Sequence, residues 1–335
     1  SGFSINLMLI LLFVSSLTMF MSGLIANFEF DLKKIIALST LSQLGLMLSI
    51  LSLGEDMLAF FHLLMHALFK ALLFMCAGSM IHSLGDLQDI RLMGKFIFYM
   101  PLTCVFFNIC NFALCGLPFL TGFYSKDLIL EVLSGGYLNL YVYLIFFIST
   151  GLTVSYTVRL LCYTLVSDFK FFSYYSLSDS YKFILNGMGG LIFFVIISGS
   201  GMSWLMFPTP YFICLPFIMK IMVLMIITLG IWIGYIFWFN NLTDLVKSFF
   251  NLTLMSFFMT MFNLNYLSTL GSVYYYLNYG GIYSDLVDQG WSEYLGSMGL
   301  FTSLFLISRS ITQFFFKNLK MFLTLFLIWI CFMMF

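Results

Sequence analysis

Three ionisable residues recur at one-turn intervals inside an apolar stretch: His62, His66 and Lys70, within Phe60-Phe61-His62-Leu63-Leu64-Met65-His66-Ala67-Leu68-Phe69-Lys70. Spaced i, i+4 and i+8, they share one helix face and span ~12 Å along its axis. Neutral histidine can accept or donate a proton, and burial weakens a lysine's hold on its proton, so such a row suits a proton path. One turn between neighbours leaves room for bridging water. A central lysine in hydrocarbon costs about 2.5–3.5 kcal/mol on insertion scales, so the stripe must face protein or water. The competing reading is structural, with histidines hydrogen-bonded between helices and a lysine reaching an interface. His-x-x-x-His can also chelate, but the adjacent Lys70 and the lack of a partnering carboxylate or cysteine argue against a metal. His82, at the end of the same stretch, reads as an interfacial residue.

A second constellation is Cys115-Gly116-Leu117-Pro118-Phe119-Leu120-Thr121-Gly122-Phe123-Tyr124-Ser125-Lys126-Asp127. Glycine and proline free backbone carbonyls that can line a hydrated gap. Lys126 follows the break at once and reads as a proton-loading site whose charge responds to neighbouring charge. Adjacent helical residues do not face each other, so Asp127 is not automatically its ion partner. The alternative is a lysine anchored to headgroups near a span end. Lys220 has no evident partner and reads as a snorkelling or inter-helix lysine; Asp31, Lys33 and Lys34 read as solvated flanks.

The elements that position these groups follow from composition. Of 335 residues, 62% are hydrophobic and 8% charged, against about 25% charged in a soluble domain. Lipid is therefore the solvent. The formal net charge is zero, so no basic field points to nucleic acid. The seven cysteines, Cys76, Cys104, Cys110, Cys115, Cys162, Cys214 and Cys331, include no C-x-x-C pair and read as packing thiols.

At about 20 residues per crossing, eight stretches qualify as spans: 5–27, 35–53, 57–81, 97–133, 137–165, 183–206, 211–239 and 319–335. The fourth is too long for one straight crossing and reads as a helix broken at Gly116, Pro118 and Gly122. If the chain alternates sides, the loops after spans one, three, five and seven share a face. These loops and their flanks hold Lys33, Lys34, Arg91, Lys95, Arg159, Lys170, Lys182, Lys247, Arg309, Lys317 and Lys320; the opposite loops hold Glu55 and Asp56. That asymmetry is a positive-inside signal. Residues 240–318 are punctuated by Asn, Gly, Tyr and Ser, with Asp244 among the charges. From Tyr283 to Lys317 the pattern predicts an amphipathic helix along the membrane surface, with Leu295, Met298, Phe301, Leu304 and Phe305 on one face. Ser1 is no initiator methionine and Ser1–Asn27 is no signal peptide, so the chain reads as a fragment or split product. Richness in Phe, Met, Tyr and Ile suits an AT-rich mitochondrial gene.

The run Asp31-Leu32-Lys33-Lys34-Ile35-Ile36-Ala37-Leu38-Ser39-Thr40-Leu41-Ser42-Gln43-Leu44-Gly45 resembles a hallmark of the proton-pumping, antiporter-like subunits of respiratory NADH–ubiquinone oxidoreductase (complex I). So does the run from His62 to Lys70 with the following Ala71-Leu72-Leu73-Phe74-Met75-Cys76-Ala77-Gly78-Ser79. Gly116 to Asp127 looks specifically like the chain-5 branch of that family, and Asp288-Gln289-Gly290-Trp291-Ser292-Glu293 is similar to the start of its lateral-helix region.

The resemblance implies an all-α integral membrane fold with about eight transmembrane helices, one broken, and a long lateral helix on the matrix face. It assigns 1–166 to the second antiporter-like five-helix repeat and 167–240 to additional transmembrane helices. Residues 241–318 become a connector and lateral helix, and 319–335 a terminal anchor. It implies that Lys126, Lys70, His62 and His66 form a proton relay towards the intermembrane space, in the mitochondrial inner membrane. It also implies that NADH, FMN, iron–sulfur clusters and ubiquinone belong to other subunits, with no cofactor in this chain. The implied partners are membrane-arm subunits, above all the neighbouring antiporter-like chain 4, the amino-terminal half of the same subunit, and phospholipids. A multisubunit cation/proton antiporter would share Lys126 and the histidine row without needing the lateral strut.

Overall fold

In the computed structural model, residues 2–136, 139–170, 177–179, 181–243 and 256–334 are described. Asp244 and Lys247 lie outside them. The expected all-helical architecture is observed, and the described residues form two compact units, Ser1–Phe262 and Asn263–Phe335.

In the first unit, α1 (Ile5–Ala26), α2 (Leu32–Ser52) and α3 (Asp56–Ser83) follow one another through short turns. A single turn, α4 (Phe96–Tyr99), precedes α5 (Pro101–Cys115), where Pro101 occupies the first turn, in which a missing N–H costs no helix bond. A π-helical turn at Phe123–Asp127 leads into α6 (Leu128–Gly135). Then come α7 (Leu140–Leu161), prolonged by a π-helical turn to Val166, α8 (Lys182–Met206) and α9 (Phe217–Thr243). The expected broken fourth span is thus two helices joined at Gly116–Gly122.

Among the described residues, seven helical segments are long and apolar enough to cross a membrane by length and composition. One is Tyr266–Lys317, whose mean hydropathy of 1.2 falls below the 1.6–2.3 of the other six. Leu319–Met334 is shorter.

Serine and threonine are tolerated in these helices because their hydroxyls bond back to carbonyls three or four residues earlier, as Ser22, Ser39, Ser42, Ser49 and Thr157 do. The helices meet closely through small residues. On α9, a Cβ at Gly230 would fall 2.7 Å from the Gly151 carbonyl oxygen, and one at Gly234 would fall 2.5 Å from that of Ser155. Ser155 in turn donates to the Asn27 amide oxygen at 2.8 Å, tying α7 to the end of α1.

The loops after α1, α3 and α7 share one face, as alternation of sides requires. Those following α1 and α3 join by an antiparallel bridge between Asp31 and Asp89, where Leu32 N–H donates to Gln88 O at 2.9 Å and Ile90 N–H to Phe30 O at 3.0 Å. Lys95 N–H donates to Ser167 O at 3.0 Å, bringing the loop after α7 to the same face. On the other side, the Tyr211 hydroxyl donates to Glu55 at 3.2 Å.

Arg159 corrects the sequence reading. Counted from sequence among the cations of the loops and their flanks, it is instead 1% exposed, inside α7. Its guanidinium donates to the Glu29 and Ala26 carbonyls at 2.9 and 3.3 Å and lies 4.8 Å from the Phe30 ring centre. Cys214 and Cys331 are exposed rather than packed, whereas Cys76, Cys104, Cys110 and Cys115 are buried. Lys220 is exposed on the first turn of α9, as a snorkelling lysine would be. His82 sits at the exposed end of α3 against Tyr181, in keeping with an interfacial role.

The second unit is a run of helices with exposed side chains: Tyr266–Leu270 and Ser284–Trp291 in π-helical geometry, Gly271–Tyr283, Ser292–Leu295, Ser297–Lys317 and Leu319–Met334. The helix expected over Tyr283–Lys317 forms, with an interruption at Gly296, whose backbone (φ −88°, ψ −112°) is not helical.

Candidate functional site

The site is made where α3 packs against α2 and the broken segment. His62, His66 and Lys70 are 1%, 8% and 4% exposed, so one buried face of α3 carries all three, as their spacing predicts. Two neighbouring elements hold His62: its Nδ1 lies 2.9 Å from Ser125 Oγ and its Nε2 lies 3.1 Å from Gln43 Oε1. With Gln43 Oε1 as acceptor, Nε2 carries the proton and Nδ1 accepts from the serine; turning the amide over reverses both bonds. The His62 and His66 ring centres are 6.3 Å apart, a spacing that one bridging water can close. His66 Nε2 is buried without a hydrogen-bond partner among the described residues, and Lys70 Nζ donates to Ser39 Oγ on α2.

Lys126 is placed by the helix break. Pro118 has no N–H, so the Leu114 carbonyl four residues earlier cannot make its helical bond. Gly116 ends α5 with φ +83°, a conformation that suits glycine, and the chain turns back on itself. Gly122 then passes so close to α5 that a Cβ there would sit 1.7 Å from the Ala113 carbonyl oxygen. The π-helical turn that follows aims Lys126 inward, 4% exposed. Its Nζ donates to Thr153 Oγ1 on α7 at 2.8 Å and to the orphaned Leu114 O at 3.4 Å. Asp127 forms no ion pair with it; partly exposed, Asp127 lies one turn from Glu131.

The structure therefore brings together all four residues singled out from sequence, in the order Lys70, His66, His62, Lys126, with Ser125 linking the last two regions. It adds Ser39, Gln43, Ser125, Thr153 and the Leu114 carbonyl, which sequence reasoning did not single out. Ser39 and Gln43 carried one available signal, as polar residues within an apolar span; Thr153 carried none, lying among Ser149, Thr150, Ser155 and Thr157. No group of three His, Cys, Asp or Glu side chains among the described residues could hold a metal ion.

Residues 156–335 match the family model for the NADH dehydrogenase subunit 5 C-terminus. The chain belongs to that family. Residues 2–153 match a second model, that of the transmembrane region of NADH:quinone oxidoreductase and Mrp antiporter proteins, so the two matches meet within α7. The NADH-ubiquinone oxidoreductase chain 5 of Locusta migratoria is 50% identical over 95% of this chain and 56% of its own length. Its counterpart in Anopheles gambiae is 50% identical over 95% and 55%, and that of Lumbricus terrestris 39% identical over 87% and 50%. The chain thus spans about half the length of the curated relatives it matches. Among solved structures, the Mrp complex from a Dietzia species is similar at 23% identity and TM-score 0.56, covering 68% of this chain and 27% of that one. The membrane-bound sulfane sulfur reductase, an archaeal respiratory membrane complex, gives 23% identity and TM-score 0.51 over 70% and 44%. At this identity both likenesses concern the fold alone.

Proposed function

We propose that the chain is the proton-carrying part of an antiporter-like membrane-arm subunit of mitochondrial NADH–ubiquinone oxidoreductase. The observation that carries this reading is the buried row Lys70, His66, His62, Ser125 and Lys126, in which every side chain can give up or take a proton. The hydroxyls of Ser39 and Thr153 can accept from a lysine ammonium or donate to a neutral amine, so the flanking contacts survive either state. Redox events in other subunits drive the cycle, and NADH, flavin, iron–sulfur and quinone chemistry stays outside this chain.

The face bearing Lys34, Arg91 and Lys95 is the matrix face, and the row leads towards the intermembrane space. The amphipathic residues 283–317 lie along the matrix surface and brace neighbouring membrane-arm subunits, the antiporter-like chain 4 first among them. The rest of the relatives' length supplies the remaining proton path, and phospholipid covers the exposed apolar helix faces. A cation/proton antiporter subunit is the second reading, favoured only by the breadth of the first family match. The 50% identity to oxidoreductase chain 5 proteins supports the first.

The test is a Lys126→Met variant in the assembled complex. Proton pumping coupled to NADH oxidation is expected to fall at least tenfold with assembly retained. Normal coupled pumping would exclude the proposed role.

A further inference from the structure

Tyr156 takes no part in the row described above, yet it is buried, at 2% exposure, on the face of α7 one turn beyond Thr153. Its hydroxyl faces Ser42 and Ser39 of α2 and makes no hydrogen bond of good geometry with either. Natural interiors seldom leave a buried hydroxyl without a settled partner. Ser39 already belongs to the site, and Ser42 is bonded to its backbone. Ser39 accepts from Lys70 Nζ while donating its own proton to Ile36 O at 2.7 Å, and Ser42 donates to Ser39 O at 2.9 Å. Both hydroxyls donate to backbone carbonyls, which leaves their oxygen lone pairs free to accept, as Ser39 does from Lys70. At the other end, the Cys115 thiol lies near both Tyr156 and Lys126 and is 2.9 Å from Thr157 Oγ1, and Thr153 holds Lys126 directly.

We propose that Ser39, Ser42 and Tyr156 form a second, hydroxyl-lined branch joining Lys70 to the Thr153–Lys126 end, parallel to the imidazole branch through His66 and His62. The inference rests on the proton-carrying reading of this site. In transfer along the branch, each serine hydroxyl first turns its O–H from the backbone carbonyl to the next oxygen; each hydroxyl oxygen then takes a proton on a lone pair and passes on the one it held. Every side chain ends with the composition it began with, and the only net change is one proton lost at one lysine and gained at the other. Hydration closes the remaining gaps, as in the imidazole branch.

The test compares Tyr156→Phe, His62→Ala and the double variant in the assembled complex, with protons pumped per NADH oxidised as the readout and Lys126→Met as control. Parallel branches predict that Tyr156→Phe lowers pumping about twofold. The double variant is then expected to lose at least tenfold, more than the product of the single effects. Ser42→Ala in place of Tyr156→Phe is expected to give the same pattern, and it decides the matter if the tyrosine variant fails to assemble. A double variant no worse than His62→Ala alone would overturn the branch while leaving Lys126 in its role. Normal pumping by Lys126→Met would instead remove the reading on which the branch rests.

Discussion

Lys34, Arg91 and Lys95, on the loop-bearing face, each meet a carboxylate: Asp31 at 2.7 Å, Asp89 at 2.6 Å and Asp168 at 2.5 Å. Lys70, Lys126 and Arg159, inside the helix bundle, form no such pair among the described residues and are held by hydroxyl and carbonyl oxygens instead. A carboxylate only accepts hydrogen bonds, so it favours a permanently charged partner. A hydroxyl can reverse its role when the amine loses its proton. The difference separates cations that anchor from cations that can change state, and it divides the interior group again. Both lysines donate to a serine or threonine hydroxyl, whereas Arg159 donates to two backbone carbonyls beside the Phe30 and Tyr163 rings and keeps its charge in proteins.

Giving an interior lysine the chemistry of the surface is expected to have the largest effect. Thr153→Asp places a carboxylate beside Lys126, and even at an effective dielectric near 20 a contact pair is worth about 4 kcal/mol. Pumping in the assembled complex should fall more than tenfold; unchanged pumping would break the contrast between the two regions.

Arg159→Met comes next and should behave in the opposite way. Losing the guanidinium leaves the Ala26 and Glu29 carbonyls unpartnered, for a loss of about 1–2 kcal/mol. Thermal denaturation should show this, while pumping per assembled complex stays near the parent level. A selective loss of pumping would place Arg159 among the state-changing cations.

The smallest effect belongs to the surface. The Lys95 hydrogen bond holds the Asp168 carboxyl below its ordinary 3.8, so its stabilising contribution is present above about pH 4 and fades as the pH falls through the lowered value. Asp168 in turn raises Lys95 above 10.5, and that contribution is lost only as the pH rises past the raised value. Lys95→Met should leave the neutral-pH melting temperature within error and flatten the acid limb slightly. A large shift at pH 7 would mean that this pair does more than anchor.

Much of the site was legible because its signals are local. The spacing of His62, His66 and Lys70 survives any packing that keeps α3 helical, and Gly116, Pro118 and Gly122 break a helix wherever it lies. The partners were not legible, because Ser39, Gln43 and Thr153 acquire their roles only when α2 and α7 are laid against α3 and the broken segment. Arg159 was misplaced for the same reason. Its position near the end of an apolar run fits a solvated flank, and only the approach of Ala26, Glu29 and Phe30 buries it. The interruption at Gly296 is not legible either, because one glycine within an amphipathic pattern does not by itself announce a break.

The proposed cycle requires Lys126 to lose and regain its proton, and Lys126→Arg probes that requirement without removing the charge. Arginine keeps the positive charge but holds its proton to a pKa above about 12. Proton pumping coupled to NADH oxidation should be measured in the assembled complex, beside Lys126→Met as the charge-free control. Both variants are expected to assemble and to lose most of their pumping. Arginine pumping at the parent rate while methionine fails would show that Lys126 supplies charge alone, contradicting its role as a proton carrier.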